Sequence, residues 1–109
     1  MTRPVELDPD GVYHLATAAE WAGYQDRGRI DPASLETEGF VHCSYGRQVA
    51  DTVGKHFAGV DHLLALRIDA GRLGGVSLVD EDLPGIGQAF PHACGPIAVE
   101  AVVAAVPVV

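Results

Sequence analysis

One stretch of the chain constrains the fold more than any other. Residues 63–68 read Leu63-Leu64-Ala65-Leu66-Arg67-Ile68, apolar at every position but Arg67. A half-exposed strand alternates apolar and polar residues, whereas a strand with both faces buried reads as a continuous apolar run. The run therefore predicts a central strand, spanning His62 to Asp69, with cover on both sides. Such a strand needs neighbours at its edges and helices or further sheet on its faces.

The rest of the chain supplies candidates for both. Val12-Tyr13-His14-Leu15, bounded by Gly11, reads as a short strand. Thr17-Ala18-Ala19-Glu20 has the spacing of a capping box, Thr at the N-cap and Glu at N3. The helix it opens should run to about Gly28, with Trp21 and Tyr24 on its apolar face. Asp31-Pro32 predicts a second helix start, Asp as cap and Pro at the first position, in a short piece ended by Gly39. Phe40-Val41-His42-Cys43 reads as a strand. Ser44 is the expected cap of a helix over about 45–57, where Val49, Val53 and Phe57 recur on one face. Val76-Ser77-Leu78-Val79 predicts a fourth strand, Asp80 to Gly87 a loop with an acidic trio and Pro84-Gly85, and Ala89-Phe90-Pro91-His92 an edge strand. Ile97 to Val108 predicts a last strand that crosses the sheet. Helices cluster in the first half and strands mostly follow. That order predicts α+β with a compact mixed or antiparallel sheet, not alternating doubly wound α/β.

Length and charge narrow the function. A chain of 109 residues suits one domain, with residues 1–10 as a polar lead-in. Fifteen acids against seven bases give a net charge of −8. Grip on nucleic acid needs clustered Lys and Arg, and so does an anionic membrane surface. The expected partner is a small molecule, not nucleic acid or membrane. The start of the chain has no apolar signal core, and two cysteines, Cys43 and Cys94, make no disulfide framework. These features predict a soluble cytoplasmic protein with reduced thiols.

Three of the five histidines share a setting. His14, His42 and His92 each lie on a short apolar strand, the first two just before a capped helix. A side chain at such a junction faces a cleft at the strand ends, where the next helix points free N–H groups. Two such units side by side make a pocket suited to an anionic or ribose-phosphate ligand. The plainer reading is three histidines bonded to backbone for structural reasons. If His42 faces the cleft, strand alternation turns Cys43 to the core. Arg47, near the third position of its helix, suits a bidentate clamp on phosphate or carboxylate, or serves as surface charge. Asp80-Glu81-Asp82 offers carboxylates for acid–base work, though charge runs in loops are commonly just solvated. A zinc site from His14, His42, His92 and Cys94 is a further alternative, without the paired close spacings of structural zinc sites. Gly85-Ile86-Gly87 lacks the third glycine and following helix of a dinucleotide fingerprint.

The blocks VYHLATAAEW, LETEGFVHCS and AFPHACGPI, in that order, resemble the signatures of the domain-of-unknown-function 952 family over about residues 11–107. The family carries no established activity. The resemblance implies a split α+β fold similar to that of ADP-ribosyltransferases, which bind NAD in a cleft between two sheets. On that likeness His14 contacts the adenosine-side ribose, with Thr17 in the same motif. His42 sits by the reacting end with Ser44 beside it. Histidines at both places are similar to the tRNA 2′-phosphotransferase branch. The late-strand Glu of many transferases is missing, because no Glu falls between Glu81 and Glu100 and Phe90-Pro91-His92 stand there.

The expectation is thus an enzyme or former enzyme that binds NAD or an ADP-ribosyl compound as substrate, with no metal. His42 and His92 carry proton transfer, and His14, Thr17, Ser44 and Arg47 hold the ligand. Imidazole suits such work because it titrates near neutrality. The alternatives are a non-catalytic small-molecule or protein binding module and a metal-dependent hydrolase.

Overall fold

The computed structural model describes residues 7–82 and 88–109. In chain order the elements are β1 (Val12–Thr17), α1 (Ala18–Arg27), β2 (Arg29–Ile30), α2 (Ala33–Glu38), β3 (Val41–His42), β4 (Ser44–Tyr45) and α3 (Gly46–His56). They continue with β5 (Leu63–Ile68), β6 (Leu78–Asp82), β7 (Ala89–Ala93), β8 (Ile97–Ala98) and β9 (Val102–Pro107). Short 3-10 turns occupy Ala70–Arg72 and Val99–Ala101.

The two-faced apolar run is β5, and it lies inside a four-stranded antiparallel sheet of order β4–β1–β5–β9. Its register against β1 (Leu15 opposite Ala65, His14 opposite Leu66) sorts the side chains onto two faces. Ala16, Leu66 and Ile68 pack on one face with Tyr24, Ile30, Val41 and Ile97. Tyr13, Leu15, Leu63 and Ala65 pack on the other with Val49 and Val53 of α3 and Phe57 just after it. Each face is covered, as the apolar run requires. The polar exception, Arg67, reaches the Asp8 carboxylate at 2.7 Å. Two smaller antiparallel sheets complete the fold, β2–β8 and β3–β7–β6. It is α+β with antiparallel sheets and three short α-helices among the described residues. No helix of the described residues is long and apolar enough to cross a membrane.

Helix α1 starts where its capping box predicts. The Thr17 hydroxyl accepts from Glu20 N–H at 3.1 Å, and the Glu20 carboxylate accepts from Thr17 N–H at 2.8 Å. Gly28, at φ 80°, closes it in the left-handed conformation that favours glycine. The other two starts differ from expectation. Pro32, not Asp31, precedes α2, because the Asp31 carboxylate instead accepts from the Arg27 and Arg29 guanidinium groups. Tyr45, not Ser44, caps α3. Ser44 pairs with Tyr13 at the sheet edge, and the Gln48 side chain accepts from Tyr45 N–H at 2.9 Å.

Strand edges also moved. The fourth strand starts two residues late and continues through Asp80, Glu81 and Asp82, expected to be loop. The reason is β7, whose edge pairs in unbroken register from Leu78 opposite Ala93 to Asp82 opposite Ala89. Pro84-Gly85 and Gly85-Ile86-Gly87 lie outside the described residues, as does the lead-in before Leu7. The expected strand over 40–43 is reduced to Val41–His42 as β3; Cys43 ends it, and Ser44–Tyr45 follow as β4 in a different sheet. The final apolar run likewise divides. Its first part pairs with β2, a 3-10 turn intervenes, and β9 then pairs with β5.

Candidate functional site

Strands β3 and β7 pair with His42 directly opposite His92. Opposed residues in an antiparallel pair project to the same face, so the register alone brings these two imidazoles together. Their ring centroids are 5.1 Å apart and the planes nearly perpendicular. Each ring has its own carboxylate. His42 Nε2 lies 2.8 Å from Glu38 Oε2, at the end of α2. His92 Nδ1 lies 3.1 Å from Glu81 Oε1, on β6. Phe40 stacks flat on His92 at 4.0 Å between centroids. His42 is half exposed, whereas His92 is 0% exposed.

These rings border a cavity of about 390 Å³. Its walls are His42, Cys43 and Ser44 from the β3–β4 segment, and Phe90 and His92 from β7. Helix α3 and its cap add Thr52, His56 and Phe57. The cavity therefore sits where the small sheet, the edge of the large sheet and α3 meet. Among the described residues no Lys or Arg lines it. Its volume falls in the range of small-molecule sites, roughly 300–1,000 Å³.

His14 joins this site indirectly. Its Nδ1 donates to the His42 carbonyl oxygen at 2.7 Å. Burial removes the ring from water and holds its pKa below the ordinary histidine value, so His14 is a neutral imidazole at neutral pH. It fixes the backbone of His42 and does not border the cavity. Cys43 is turned inward, as strand alternation demands. Burial pushes its thiol up to about 12, which leaves no thiolate for attack at neutral pH. Cys43 is a free thiol, and so is the exposed Cys94.

Among the expected ligand-binding residues, Ser44 borders the cavity and Thr17 and Arg47 do not. The Thr17 hydroxyl is engaged as a helix cap. The Arg47 guanidinium lies 3.3 Å from both the Pro9 carbonyl and the Asp10 carboxylate, and covers the Tyr45 ring. The expected free N–H groups at the two helix starts are engaged as well. Gly46 N–H donates to Gly11 O at 2.9 Å and Arg47 N–H to Pro9 O at 3.2 Å. Ala18 N–H donates to His62 O at 2.9 Å. The chain's own carbonyls occupy the places an anion would take. The acidic trio is not simply solvated either. Asp80 accepts from the Tyr45 hydroxyl and Glu81 binds His92. Among the described residues no group of three or more His, Cys, Asp or Glu is arranged to hold a metal ion, so His14, His42, His92 and Cys94 do not converge as ligands.

Sequence reasoning missed Thr52, His56, Phe57 and Phe90 as cavity walls, and Glu38 as the partner of His42. A signal existed for α3. Thr52 and His56 are four residues apart and flank the Val49–Val53–Phe57 stripe. Phe90 had one as well, standing two residues before His92 and so on the same face of the predicted strand; Glu38 gave none, because only the end of α2 brings it in.

An α+β fold with a histidine-walled cavity between antiparallel sheets is the class of protein these features define. The chain belongs to the family described as "Protein of unknown function (DUF952)", whose model matches residues 3–105. It is similar to protein CC0527 from Caulobacter crescentus. The crystal structure of CC0527 is 33% identical, with a TM-score of 0.78 over 89% of this chain and 84% of that one. The solution structure of the same protein gives 32% identity and a TM-score of 0.75 over 90% and 84%. No curated protein matches the sequence.

Proposed function

We propose that this protein is an ADP-ribosyltransferase-like enzyme or a descendant of one, and that its histidine cavity takes one end of NAD or of a related ADP-ribosyl compound. One observation carries the reading. His42 and His92 face each other across a strand pair, each against a carboxylate, on the wall of a cavity where two sheets meet. Two imidazoles held this way suit proton transfer to and from a bound ligand. Phe57 and Phe90 suit a ring, and the Ser44 hydroxyl suits a ribose. Among the described residues no Lys or Arg lines the walls, which leaves the phosphates of such a ligand outside the cavity. His14 serves by holding the His42 carbonyl, and Thr17 and Arg47 have no part in the cavity.

Isothermal titration with NAD and with ADP-ribose tests the reading. Binding of either, weakened by His42→Ala and by His92→Ala in folded protein, is the expected result. Absence of heat with both ligands, at protein concentrations able to detect a millimolar Kd, would end it. A second reading, a binding module without turnover, is favoured by the complete burial of His92. Native mass spectrometry separates the two. Incubation with NAD yields a product in the first case and an unchanged retained ligand in the second.

A further inference from the structure

Two long strands lie at sheet edges among the described residues, β6 and β9, and they are guarded differently. A free edge offers unpaired N–H and C=O groups to another strand, and proteins commonly guard it with charge. Strand β6 carries Asp80, Glu81 and Asp82 in a row. Strand β9 closes the large sheet, and nothing among the described residues pairs with its outer side. From Ala101 to Val109 the chain has no charged residue. The register with β5 skips Val103, which is 49% exposed. The same register sets the direction of the free backbone groups. Val108 N–H reaches Leu63 O at 2.9 Å. Bonded pairs alternate along an antiparallel ladder, so Val106 and Ala104 also bond to β5. Ala105 and Pro107 turn their backbone groups outward. Pro107 thus stands where its missing N–H breaks no bond of the sheet, and the exposed Ala105 keeps both its N–H and its C=O for a further strand.

We propose that a second copy of this chain docks on β9, edge to edge and antiparallel about a two-fold axis at Ala105, so that two four-stranded sheets join into one of eight. The uncharged edge selects its occupant. A basic or an acidic strand finds no counter-charge between residues 101 and 109. An uncharged apolar strand is required, and β9 is itself one. Its pattern is also its own complement. Pairing centred on Ala105 sets Ala104 of each copy opposite Val106 of the other, small against large on the face that α3 covers. Ala105 meets Ala105 of the second copy, N–H to C=O in both directions. The exposed Val103 of each copy comes to Pro107 of the other, at the mouth of an apolar groove walled by Leu7, Val49, Ala50, Val53, Pro107 and Val108. A net charge of −8 opposes contact between copies in general, and β9 sets no like charges face to face. Strand β4, which borders the histidine cavity, is the opposite edge of the large sheet. Both cavities therefore stay open in the pair, and the pairing is independent of what they bind.

A contact built on one strand edge, about 20 Å long, lies at the small end of specific interfaces, so the pair should form and part with concentration. Sedimentation equilibrium of the full chain from roughly 1 µM to 1 mM tests this, and the mass should rise from that of one chain toward that of two. Ala105→Lys sets two lysines opposite each other and should raise the dimer Kd at least about tenfold, even though it reduces the net negative charge. Ala22→Lys, on the exposed side of α1, makes the same charge change and should leave the Kd as it was. Circular dichroism checks that both variants are folded. Hydrogen exchange by nuclear magnetic resonance reads the register. The Ala105 amide should exchange freely in dilute protein and become protected as the dimer forms. Single chains at every concentration overturn the proposal, and an Ala105 amide protected in the monomer then assigns the edge to another segment of the same chain. Dimers that Ala105→Lys leaves intact, or in which the Ala105 amide still exchanges freely, overturn it as well, because the copies then meet elsewhere.

Discussion

Two glycines of the same helix should respond to alanine with opposite sign. Gly46 opens α3 beneath residues 8–11. A Cβ at that position would fall onto the Asp8 carbonyl oxygen, 2.7 Å from its carbon and 3.2 Å from Pro9 Cα. Backbone cannot rotate aside as a side chain can, so the 8–11 segment must shift. That movement breaks the bonds from Gly46 N–H to Gly11 O and from Arg47 N–H to Pro9 O. Each backbone bond contributes about 1 kcal/mol net. The better helix propensity of alanine returns at most about 1 kcal/mol. Gly46→Ala should therefore lose about 1–2 kcal/mol. Gly54, inside the same helix, has nothing among the described residues within 4 Å of an added Cβ. Gly54→Ala should gain about 0.5–1 kcal/mol, because alanine loses less backbone entropy on folding. Urea unfolding followed by circular dichroism measures both. In thermal melts a domain near this size moves about 4–8 °C per kcal/mol. A Gly46→Ala variant as stable as the wild type would refute the placement of residues 8–11 against the helix start.

Other expectations concern the cap, the thiols and the buried histidine. Thr17→Ala removes one bond of the capping box and should cost about 1 kcal/mol in the same unfolding assay; no loss would mean that Glu20 alone holds the helix start. Iodoacetamide at about pH 8 should label Cys94 in the native protein and reach Cys43 only after denaturation, since burial keeps Cys43 a thiol. Equal labelling by peptide mass spectrometry would contradict that burial. Burial lowers the His14 pKa from 6.5, so the unfolded chain binds a proton that the folded one refuses. Stability from this group is whole above 6.5 and falls with acid until the lowered folded value is reached, by at most about 1.4 kcal/mol per pH unit. His14→Asn keeps an N–H for the His42 carbonyl and should flatten that part of the acid slope. An identical slope in both proteins would place its origin elsewhere.

The sequence carried the local physics further than the pairing. Residues 63–68 declared a doubly covered strand, and Thr17 with Glu20 declared the start of α1, because periodicity and capping are properties of a few neighbouring residues. Ser44, Asp31 and the acidic trio went otherwise for one shared reason. Each had one local role available and another partner offered a better one: the β1 edge for Ser44, the β7 edge for residues 80–82, and for Asp31 two arginines two and four residues back in the chain. The same holds at the site. His42 and His92 stood out as histidines on short strands, but their direct opposition depends on a register spanning fifty residues of chain. Arg47 looked like a clamp because of its place on a helix. Pro9 and Asp10, which hold it, lie outside any local pattern.

The tether at the start of α3 has a mechanical consequence at its other end. From Gly46 to His56 the helix is about 15 Å long, at 1.5 Å of rise per residue. The first turn is clamped by the carbonyls of Pro9 and Gly11, and the last turns carry Thr52 and His56 to the cavity wall. A tilt of about 5° at the clamp swings the far end by about 1 Å over that length. Residues 8–11 do not line the cavity, yet a displacement there would reach its wall as a push on the short arm of a lever reaches the long one.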